Sequence, residues 1–203
     1  FKKSVGGGQM FTFDKKDKNA DIYLTLENLI TNWENEVVEF KEANNDYDKE
    51  KIGKYFSAIS NEANLKNLQF GWLVFGVRNK DRKIVGTNYR NTKSLDTLKQ
   101  EISINTTGGI SFVEIYEIYP TIDEVEKRVI MFQIPAAATG IPTGWNNHYY
   151  GRNGESLGAL SIEEQDRIRE QEKKDWSKQI IPDATIEHLD KSAIAIAREK
   201  YKE

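Results

Sequence analysis

Four glutamates crowd into the nine-residue segment ENEVVEFKE, at positions Glu34, Glu36, Glu39 and Glu42. Carboxylate oxygens are the ligands that Mg²⁺ and Mn²⁺ prefer, and metal-dependent phosphodiester cleavage uses carboxylates to hold such ions. Lys41 follows Glu39 at a spacing of two, and in many metal-dependent nucleases a Glu-x-Lys strand supplies a lysine that steadies water or phosphate. The segment therefore predicts either a metal site or an ordinary surface strand.

The segment EVVEF has the composition of a β-strand. Alternation along a strand places Glu39 and Lys41 on the same face. Glu34 precedes the strand and could fold back toward Glu39. A solvated Glu–Lys pair would contribute well under about 1 kcal/mol, and the residue pattern by itself favours this plainer interpretation.

Basic residues gather in three turn-like segments, and tyrosines accompany them. Cations beside aromatic rings are expected of a surface that contacts phosphates and stacks on bases. The basic residues are Arg78, Lys80, Arg82 and Lys83 in one turn, Arg90 and Lys93 before the next helix, and Arg152 in YYGRNG; the tyrosines are Tyr89, Tyr149 and Tyr150.

Composition excludes several kinds of site. The 203-residue chain has no cysteine, which removes disulfides, thiolate nucleophiles and cysteine-based zinc sites. Its two histidines, His148 and His188, are too few for a histidine-rich metal centre. The sequence contains neither the phosphate-binding loop G-x-x-x-x-G-K-[ST] nor the dinucleotide-binding turn G-x-G-x-x-G. The net charge of -3 means that any phosphate-contacting surface must be local.

The order of the predicted elements gives an α+β fold, with a mixed, largely antiparallel sheet flanked by helices. GWLVFGV predicts a central strand with KIVGT as its hairpin partner, and SFVEIYEIYP and KRVIMFQIP predict a second hairpin. HYYGRNG predicts a short strand and loop. Helical spacing is present in DIYLTLENLITNW, KIGKYFSAISNEAN, SLDTLKQEI (opened by Ser94) and SIEEQDRIREQEKK, where Ser161 and Glu164 form a capping-box pattern.

Three regions are expected along the chain. Residues 1–10 are predicted to be an expression remnant or flexible leader, 11–175 the folded domain, and 176–203 a connector and terminal helix that lead to a further C-terminal region. No apolar run approaches the roughly 20 residues that span a bilayer, and no secretory signal is visible. We expect a cytoplasmic protein without a membrane partner.

The ordered motifs resemble the Schlafen AlbA-type domain. The family opens on an acidic residue followed five positions later by E-F-K, here Glu34 and Glu39-Phe40-Lys41. YFSAISNEAN and QFGWLVFGV then match its helix and apolar strand, although Phe70 replaces one family glycine. Later matches are Ile84-Val85-Gly86, Ile134-Pro135, Tyr150-Gly151-Arg152-Asn153-Gly154, SIEE and HLDKSAIAIAREKY. The resemblance covers residues 27 to 203.

The resemblance implies two lines of function. In bacterial relatives the domain is taken as a nucleic-acid-binding module of transcriptional regulators, and longer relatives continue into an ATPase-like and winged-helix region. In vertebrate Schlafen proteins a related fold cleaves transfer and ribosomal RNA with two Glu and one Asp around a divalent metal. By position, the two glutamates are Glu34 and Glu39, whereas the third carboxylate position holds Arg78 and the nearest acid is Asp81.

Three hypotheses follow, in order of preference. The first is a nucleic-acid-binding module, with DNA preferred, that uses Lys41, Arg78, Lys80, Arg82 and Arg152. The second is an endoribonuclease with Glu34, Glu39 and Lys41 as catalytic residues, and Mg²⁺ or Mn²⁺ held by Glu34, Glu39 and Asp81. The third is a protein-interaction module that forms homodimers through a sheet edge and the terminal helix.

Overall fold

A computed structural model describes residues 2–4, 9–13, 20–31, 36–154, 156–171, 185, 188 and 190–201. The chain divides into two compact units, residues 1–172 and 173–203. The helices are α1 (Ala20–Thr31), α2 (Lys49–Leu65), α3 (Asp96–Ser103), α4 (Ile162–Arg169) and α5 (Lys191–Lys200). The strands are β1 (Lys2–Ser4), β2 (Met10–Thr12), β3 (Val38–Lys41), β4 (Phe70–Phe75), β5 (Glu114–Ile118), β6 (Thr121–Ile122), β7 (Val125–Glu126), β8 (Val129–Pro135), β9 (Gly144–Trp145), β10 (His148–Asn153) and β11 (Ser156–Ala159).

A four-stranded sheet in the order β3-β4-β8-β5 forms the centre of the larger unit. β3 and β4 are parallel, and α2 provides the crossover that a parallel pair requires. The other two pairings are antiparallel, so the predicted α+β class with a mixed, largely antiparallel sheet is confirmed. β3 lies at one edge of this sheet, with Glu39 in register with Leu73 and Lys41 in register with Phe75.

Both faces of the central sheet are covered, which explains the continuous apolar sequence of β4. On one face Phe40, Val74 and Met131 pack with side chains of α1 and β2. On the other face Leu73 and Phe132, with their neighbours, pack with side chains of α2 and α3. Alternation along β3 therefore turns Glu39 and Lys41 toward the α2 side of the sheet.

Polar side chains of α2 fasten a second sheet, ordered β11-β10-β9. Asn61 is fully buried; its Nδ2 donates to the carbonyls of Thr143 and Tyr150 at 2.9 Å each, and its Oδ1 accepts from Thr143 N at 2.8 Å. Ser57 Oγ donates to Thr143 O at 2.7 Å and accepts from Tyr150 N at 3.1 Å. Because buried polar groups need partners, this face of α2 fixes where β9 and β10 lie.

A third sheet, ordered β1-β2-β6-β7, contains elements that the sequence analysis did not resolve. The predicted hairpin of β5 and β8 is present, but its connection folds into a further hairpin of β6 and β7. Lys2–Ser4, within the segment predicted to be a leader, pairs antiparallel with β2.

The predicted strand KIVGT is not formed; it is represented by a single bridge between Val77 and Ile84. Val85 N and Gly86 N both donate to Gly76 O, and Gly86 adopts a left-handed φ of 85°. The chain therefore turns away from β4 directly after the bridge. This correction gives residues 78–83 the form of a tight loop rather than the tip of a long hairpin.

Two predicted helix starts have different outcomes. The capping box at Ser161 and Glu164 is confirmed at the start of α4. At α3, the N-cap residue is Leu95, one residue after the predicted Ser94, and Ser94 Oγ accepts from Asp96 N at 3.1 Å. In the smaller unit, α5 begins after Asp190, whose carboxylate accepts from Ser192 N, and it has no buried side chain. None of the described helices is both long and apolar enough to cross a membrane.

We predict that Asn61→Ala lowers the free energy of unfolding by about 2 kcal/mol or more, because Thr143 N and Tyr150 O lose a hydrogen-bond partner at a cost of roughly 1–3 kcal/mol each, whereas Thr143 O keeps Ser57 Oγ. Urea denaturation followed by circular dichroism measures this change. Asn28→Ala, at an exposed position of α1, is the matched control and should change stability by less than about 0.5 kcal/mol. Equal effects of the two substitutions would contradict the anchoring role of Asn61.

Candidate functional site

Glu39 lies inside the protein, with 3% of its surface exposed. Its Oε1 is 2.6 Å from Lys41 Nζ, and its Oε2 is 2.7 Å from Arg152 Nη2. The solvated surface pair that the residue pattern favoured is therefore wrong, because α2 and β10 cover the face of β3 that carries Glu39. Both carboxylate oxygens are bound by cations of the chain itself.

Arg152 reaches Glu39 from β10 and is itself buried, with 8% of its surface exposed. Its Nη1 donates to Val38 O at 3.1 Å, and its backbone N donates to Glu62 Oε1 at 3.0 Å. The preceding Gly151 allows close packing, since a Cβ there would lie 2.9 Å from a side-chain atom of Leu160. A guanidinium suits this position because it makes several directed hydrogen bonds while it remains charged.

Lys41 lies at the rim of the same cluster, with its side chain 26% exposed. Burial lowers the pKa of Lys41, but the hydrogen bond and charge of Glu39, together with Tyr55, outweigh burial and leave this pKa above its ordinary value. The ammonium also lies 4.9 Å from the centre of the Tyr55 ring. Nearby, burial raises the pKa of Tyr47 to about 12. Lys41 is therefore a fixed positive charge rather than a proton acceptor at neutral pH.

Glu62 is a second buried carboxylate, 4% exposed, on the α2 side of Arg152. Burial raises the pKa of Glu62, and the charges of Glu36 and Glu164 act in the same direction, against the hydrogen bond from Arg152 N. Glu36 is held differently, because its hydrogen bond to Lys66 lowers its pKa and the two side chains lie 2.6 Å apart. In this cluster, basic and acidic side chains lie next to one another in the order Lys41, Glu39, Arg152 and Glu62, and they come from β3, β10 and α2.

The predicted metal ligands do not assemble among the described residues. Glu34 lies outside the described residues. Asp81 binds Arg78 at 3.1 Å and accepts from Lys83 N at 3.2 Å, and the Arg78 charge helps to lower its pKa against the effect of burial. In the described part of the chain no three acidic or histidine side chains gather closely enough to hold a metal ion. Among the described residues, the Glu39 carboxylate is paired with Lys41 and Arg152, and the Asp81 carboxylate is paired with Arg78.

The predicted phosphate-binding residues in the loop of residues 78–83 differ in exposure: one is buried and holds the loop in place, and the others lie at the surface. The buried residue is Arg82, which is 7% exposed, lies 4.5 Å from the centre of the Phe40 ring and donates to Asn79 Oδ1 at 2.8 Å. Arg78 is partly exposed and forms ion pairs with Glu42 at 3.2 Å and with Asp81. Lys80 is exposed to solvent. The positions of Arg82 and Arg152 leave these two arginines little surface for a phosphate.

The other residues with candidate roles take structural or surface positions. Tyr89 is 2% exposed, so its ring is not available to a base, and Arg90 pairs with Glu101 at 2.7 Å. His148 is exposed, with Nδ1 2.8 Å from Asn146 O. His188, in the smaller unit, is exposed and accepts from Thr185 N at 3.0 Å. His148 takes no part in the Glu39 cluster.

A polar groove of about 730 Å³ was not predicted from the sequence. Four asparagines contribute to its lining, together with backbone and side chains of the segments after β4 and before β8. The lining residues are Asn44, Asn45, Val85, Gly86, Thr87, Asn88, Asn91, Tyr119, Glu126, Lys127 and Arg128. The signal available in the sequence was the recurrence of asparagine in two separate loops, although asparagine is also common in ordinary turns.

We predict that Glu39→Ala lowers the free energy of unfolding by about 3–5 kcal/mol, because it removes a buried carboxylate that pairs with the buried Arg152 guanidinium. Urea denaturation should give the same loss in EDTA and in Mn²⁺. Glu163→Ala, at an exposed position in the first turn of α4, is the control and should cost no more than about 1 kcal/mol. Stabilisation of the wild-type protein by Mn²⁺ that Glu39→Ala abolishes would instead place a metal at Glu39.

We predict that Glu62→Gln becomes more stable relative to the wild type as pH rises. The raised pKa of Glu62 means that the folded wild type holds its proton more tightly than the unfolded chain does. Wild-type stability therefore falls as pH rises from about 4.5, the ordinary value, through the raised pKa. A glutamine carbonyl still accepts from Arg152 N and does not titrate.

Urea denaturation of both proteins between pH 4 and pH 8 measures the difference. Glu163→Gln on α4 controls for the general effect of removing a carboxylate. A difference between Glu62→Gln and the wild type that stays constant with pH, or that shrinks as pH rises, would contradict the assignment.

Comparisons with known proteins identify relatives at the level of family and fold. The family model described as Schlafen, AlbA_2 matches residues 34–161, which is more than half of the chain. No curated protein sequence matches. Among solved structures, the DIP2311 protein from Corynebacterium diphtheriae is similar at 21% identity and a TM-score of 0.46, over 81% of this chain and 34% of that one. This chain therefore corresponds to about a third of the length of that protein.

The family match includes all the elements that build the buried cluster. It begins before β3, which carries Glu39 and Lys41, passes through α2 with its polar face, and continues beyond β10 with Arg152. By the extent of this match, the chain belongs to the Schlafen AlbA_2 family.

Proposed function

We propose that this domain is a nucleic-acid-binding module without catalytic activity, with DNA as its preferred ligand. The family itself suggests a nucleic-acid-related domain. The observation that carries the proposal is the loop of residues 78–83, which presents Lys80 and Lys83 on a fixed backbone. We also propose that the module is the part of a longer transcriptional regulator that binds DNA.

Hydrogen bonds inside the loop support this role. Arg78 N donates to Lys83 O at 2.8 Å, and Arg82 N donates to Arg78 O at 2.9 Å. Arg82 holds the loop to the sheet through Phe40, in a left-handed conformation with φ of 58°. Cations on a pre-ordered loop lose less conformational entropy when they bind a phosphate than cations on a mobile one.

Charge also supports binding rather than cleavage. The Glu39 carboxylate is paired with Lys41 and Arg152 within the protein, so the charge of Glu39 does not oppose an approaching phosphate. Arg78 holds Glu42 and Asp81 in the same way at the surface. The accessible charge that remains in the loop is that of Lys80 and Lys83. A local basic surface of this kind is what a chain with a net charge of -3 needs in order to bind nucleic acid.

We predict that Lys80→Glu/Lys83→Glu weakens DNA binding by at least about tenfold and lowers the slope of log K against log salt by about one for each phosphate that is no longer bound. Fluorescence anisotropy with labelled duplex and single-stranded DNA measures both quantities between roughly 50 and 200 mM salt, the range over which phosphate binding changes steeply. A transfer-RNA hairpin serves as the RNA comparison.

Lys51→Glu/Arg167→Glu is the matched control, because it makes the same change in net charge at exposed positions of α2 and α4. Each titration is repeated in Mn²⁺ and in EDTA, and the samples are then run on a denaturing gel. Absent or salt-independent binding, or an equal reduction in the control variant, would overturn the proposal. Mn²⁺-dependent shortening of the RNA would replace it with the endoribonuclease hypothesis, and concentration-dependent self-association without nucleic-acid binding would favour the interaction module.

A further inference from the structure

We propose that the asparagine-lined groove holds one unstacked nucleobase of a single strand whose phosphates contact the loop of residues 78–83. This inference rests on the proposed function and adds the part of the ligand that is recognised beyond its charge. The groove has a volume of about 730 Å³, within the range of about 300–1,000 Å³ that small-ligand sites occupy.

Backbone hydrogen bonds join the separate segments that form the groove. Asn88 N donates to Asn44 O at 2.6 Å, and Thr87 N donates to Arg128 O at 2.9 Å. Thr87 Oγ1 donates to Ala43 O, and Ala43 has a left-handed φ of 45°. The loop after β3, the loop after β4 and the start of β8 are therefore tied together, so the groove is a built feature of the larger unit.

The asparagine amides that line the groove can form hydrogen bonds with the donors and acceptors on the edge of a nucleobase. An asparagine amide offers both a donor and an acceptor, and it pairs with the matching donor and acceptor of a base. The side chains of Asn44, Asn45, Asn88 and Asn91 are exposed at the groove. Nδ2 of Asn88 lies 3.4 Å from Oδ1 of Asn45, a long hydrogen bond that a ligand can replace.

The charge of the groove is nearly balanced, which favours a base over a phosphate inside it. Arg128 is committed to Glu117 at 2.8 Å and to the carbonyl of Tyr89 at 2.7 Å. The remaining charges in the lining are those of Lys127 and Glu126, which are opposite in sign. Lys127 packs along Gly86, since a Cβ at Gly86 would lie 3.4 Å from Lys127 Cδ.

Tyr119 offers a ring for stacking at the side of the groove. It is 43% exposed, and its hydroxyl donates to Glu117, so the ring is oriented before a ligand arrives. This hydrogen bond, with burial, also raises the pKa of Tyr119. Stacking of a base on an exposed aromatic ring is a general means of binding single strands without strong sequence preference.

The groove and the basic loop are adjacent along the chain. Val85 of the groove follows Lys83 of the loop by two residues, which limits their Cα separation to about 7 Å. On the other side, Asn44 is three residues beyond Lys41. A strand whose phosphates lie on Lys80 and Lys83 therefore passes the mouth of the groove, where one of its bases can enter.

Two single-stranded DNA hexamers test the inference, an intact one and one whose residues are all stable tetrahydrofuran abasic analogues. Both carry the same phosphates, so the ratio of their dissociation constants isolates the bases. Fluorescence anisotropy should show the wild type binding the intact hexamer at least about fivefold more tightly, the lower end of the effect of one stacked base.

Matched variants locate the base-binding site. Tyr119→Leu and Asn44→Ala/Asn91→Ala should bring the ratio close to one without weakening the binding of the abasic hexamer. Asn28→Ala on α1 should leave the ratio unchanged, and Tyr119→Phe, which keeps the ring but removes the hydrogen bond that orients it, should lower the ratio less than Tyr119→Leu does. Circular dichroism confirms that each variant is folded.

The outcomes separate this inference from the proposed function. Equal, salt-dependent binding of both hexamers by the wild type overturns the base site and leaves the binding module intact. A wild-type preference that persists in Tyr119→Leu and in Asn44→Ala/Asn91→Ala also overturns the site, because the bases would then bind elsewhere. No binding of either hexamer overturns the base site, and it overturns the proposed function as well only if duplex DNA and the transfer-RNA hairpin also fail to bind.

Discussion

The buried charge of Glu39 is the constraint on which the arrangement of the larger unit depends. A carboxylate with 3% exposure is costly unless cations and hydrogen bonds replace its lost water. Lys41 supplies one cation from the same strand, whereas Arg152 must be brought from a different sheet. The position of β10 relative to β3 is therefore set by electrostatics as much as by apolar packing.

The helix α2 connects the two sheets, because its apolar side chains pack on one sheet and its polar side chains bind the other. Phe56 and Ile59 pack with the apolar side chains on one face of the central sheet, while Ser57, Asn61 and Glu62 bind backbone groups around β9 and β10. A helix with so many buried polar groups gains directional hydrogen bonds at the expense of apolar area. Polar networks of this kind define one arrangement of the strands and disfavour alternatives.

Local pattern was sufficient for much of the fold. The apolar run of β4, the pairing of β5 with β8, and the capping box of α4 follow from residue type and spacing. The strand predicted at KIVGT was wrong because Gly86 and the two hydrogen bonds to Gly76 O turn the chain, a tertiary effect that propensity does not record. The small hairpin of β6 and β7 depends on the edge of β2, which is distant in sequence.

The site was harder to predict, for a related reason. Sequence placed Glu39 and Lys41 on one face, and that is observed, but burial of this face depends on α2 and β10. Arg152 looked like a surface cation because its neighbours Tyr150, Gly151 and Asn153 resemble a turn. The groove could not be recognised because its asparagines come from loops more than 40 residues apart, which meet only through hydrogen bonds such as that between Asn88 and Asn44.

The partnership of β3 with β10 has a consequence for the order in which the protein folds. The hydrogen bond from Arg152 to the carbonyl of Val38 joins positions 114 residues apart, so its loop-closure cost is met only when nearly the whole of the larger unit is present. During synthesis from the N-terminus, Glu39 therefore stays hydrated until β10 has left the ribosome. A chain that ends before β10 has no Arg152 to replace the water around Glu39.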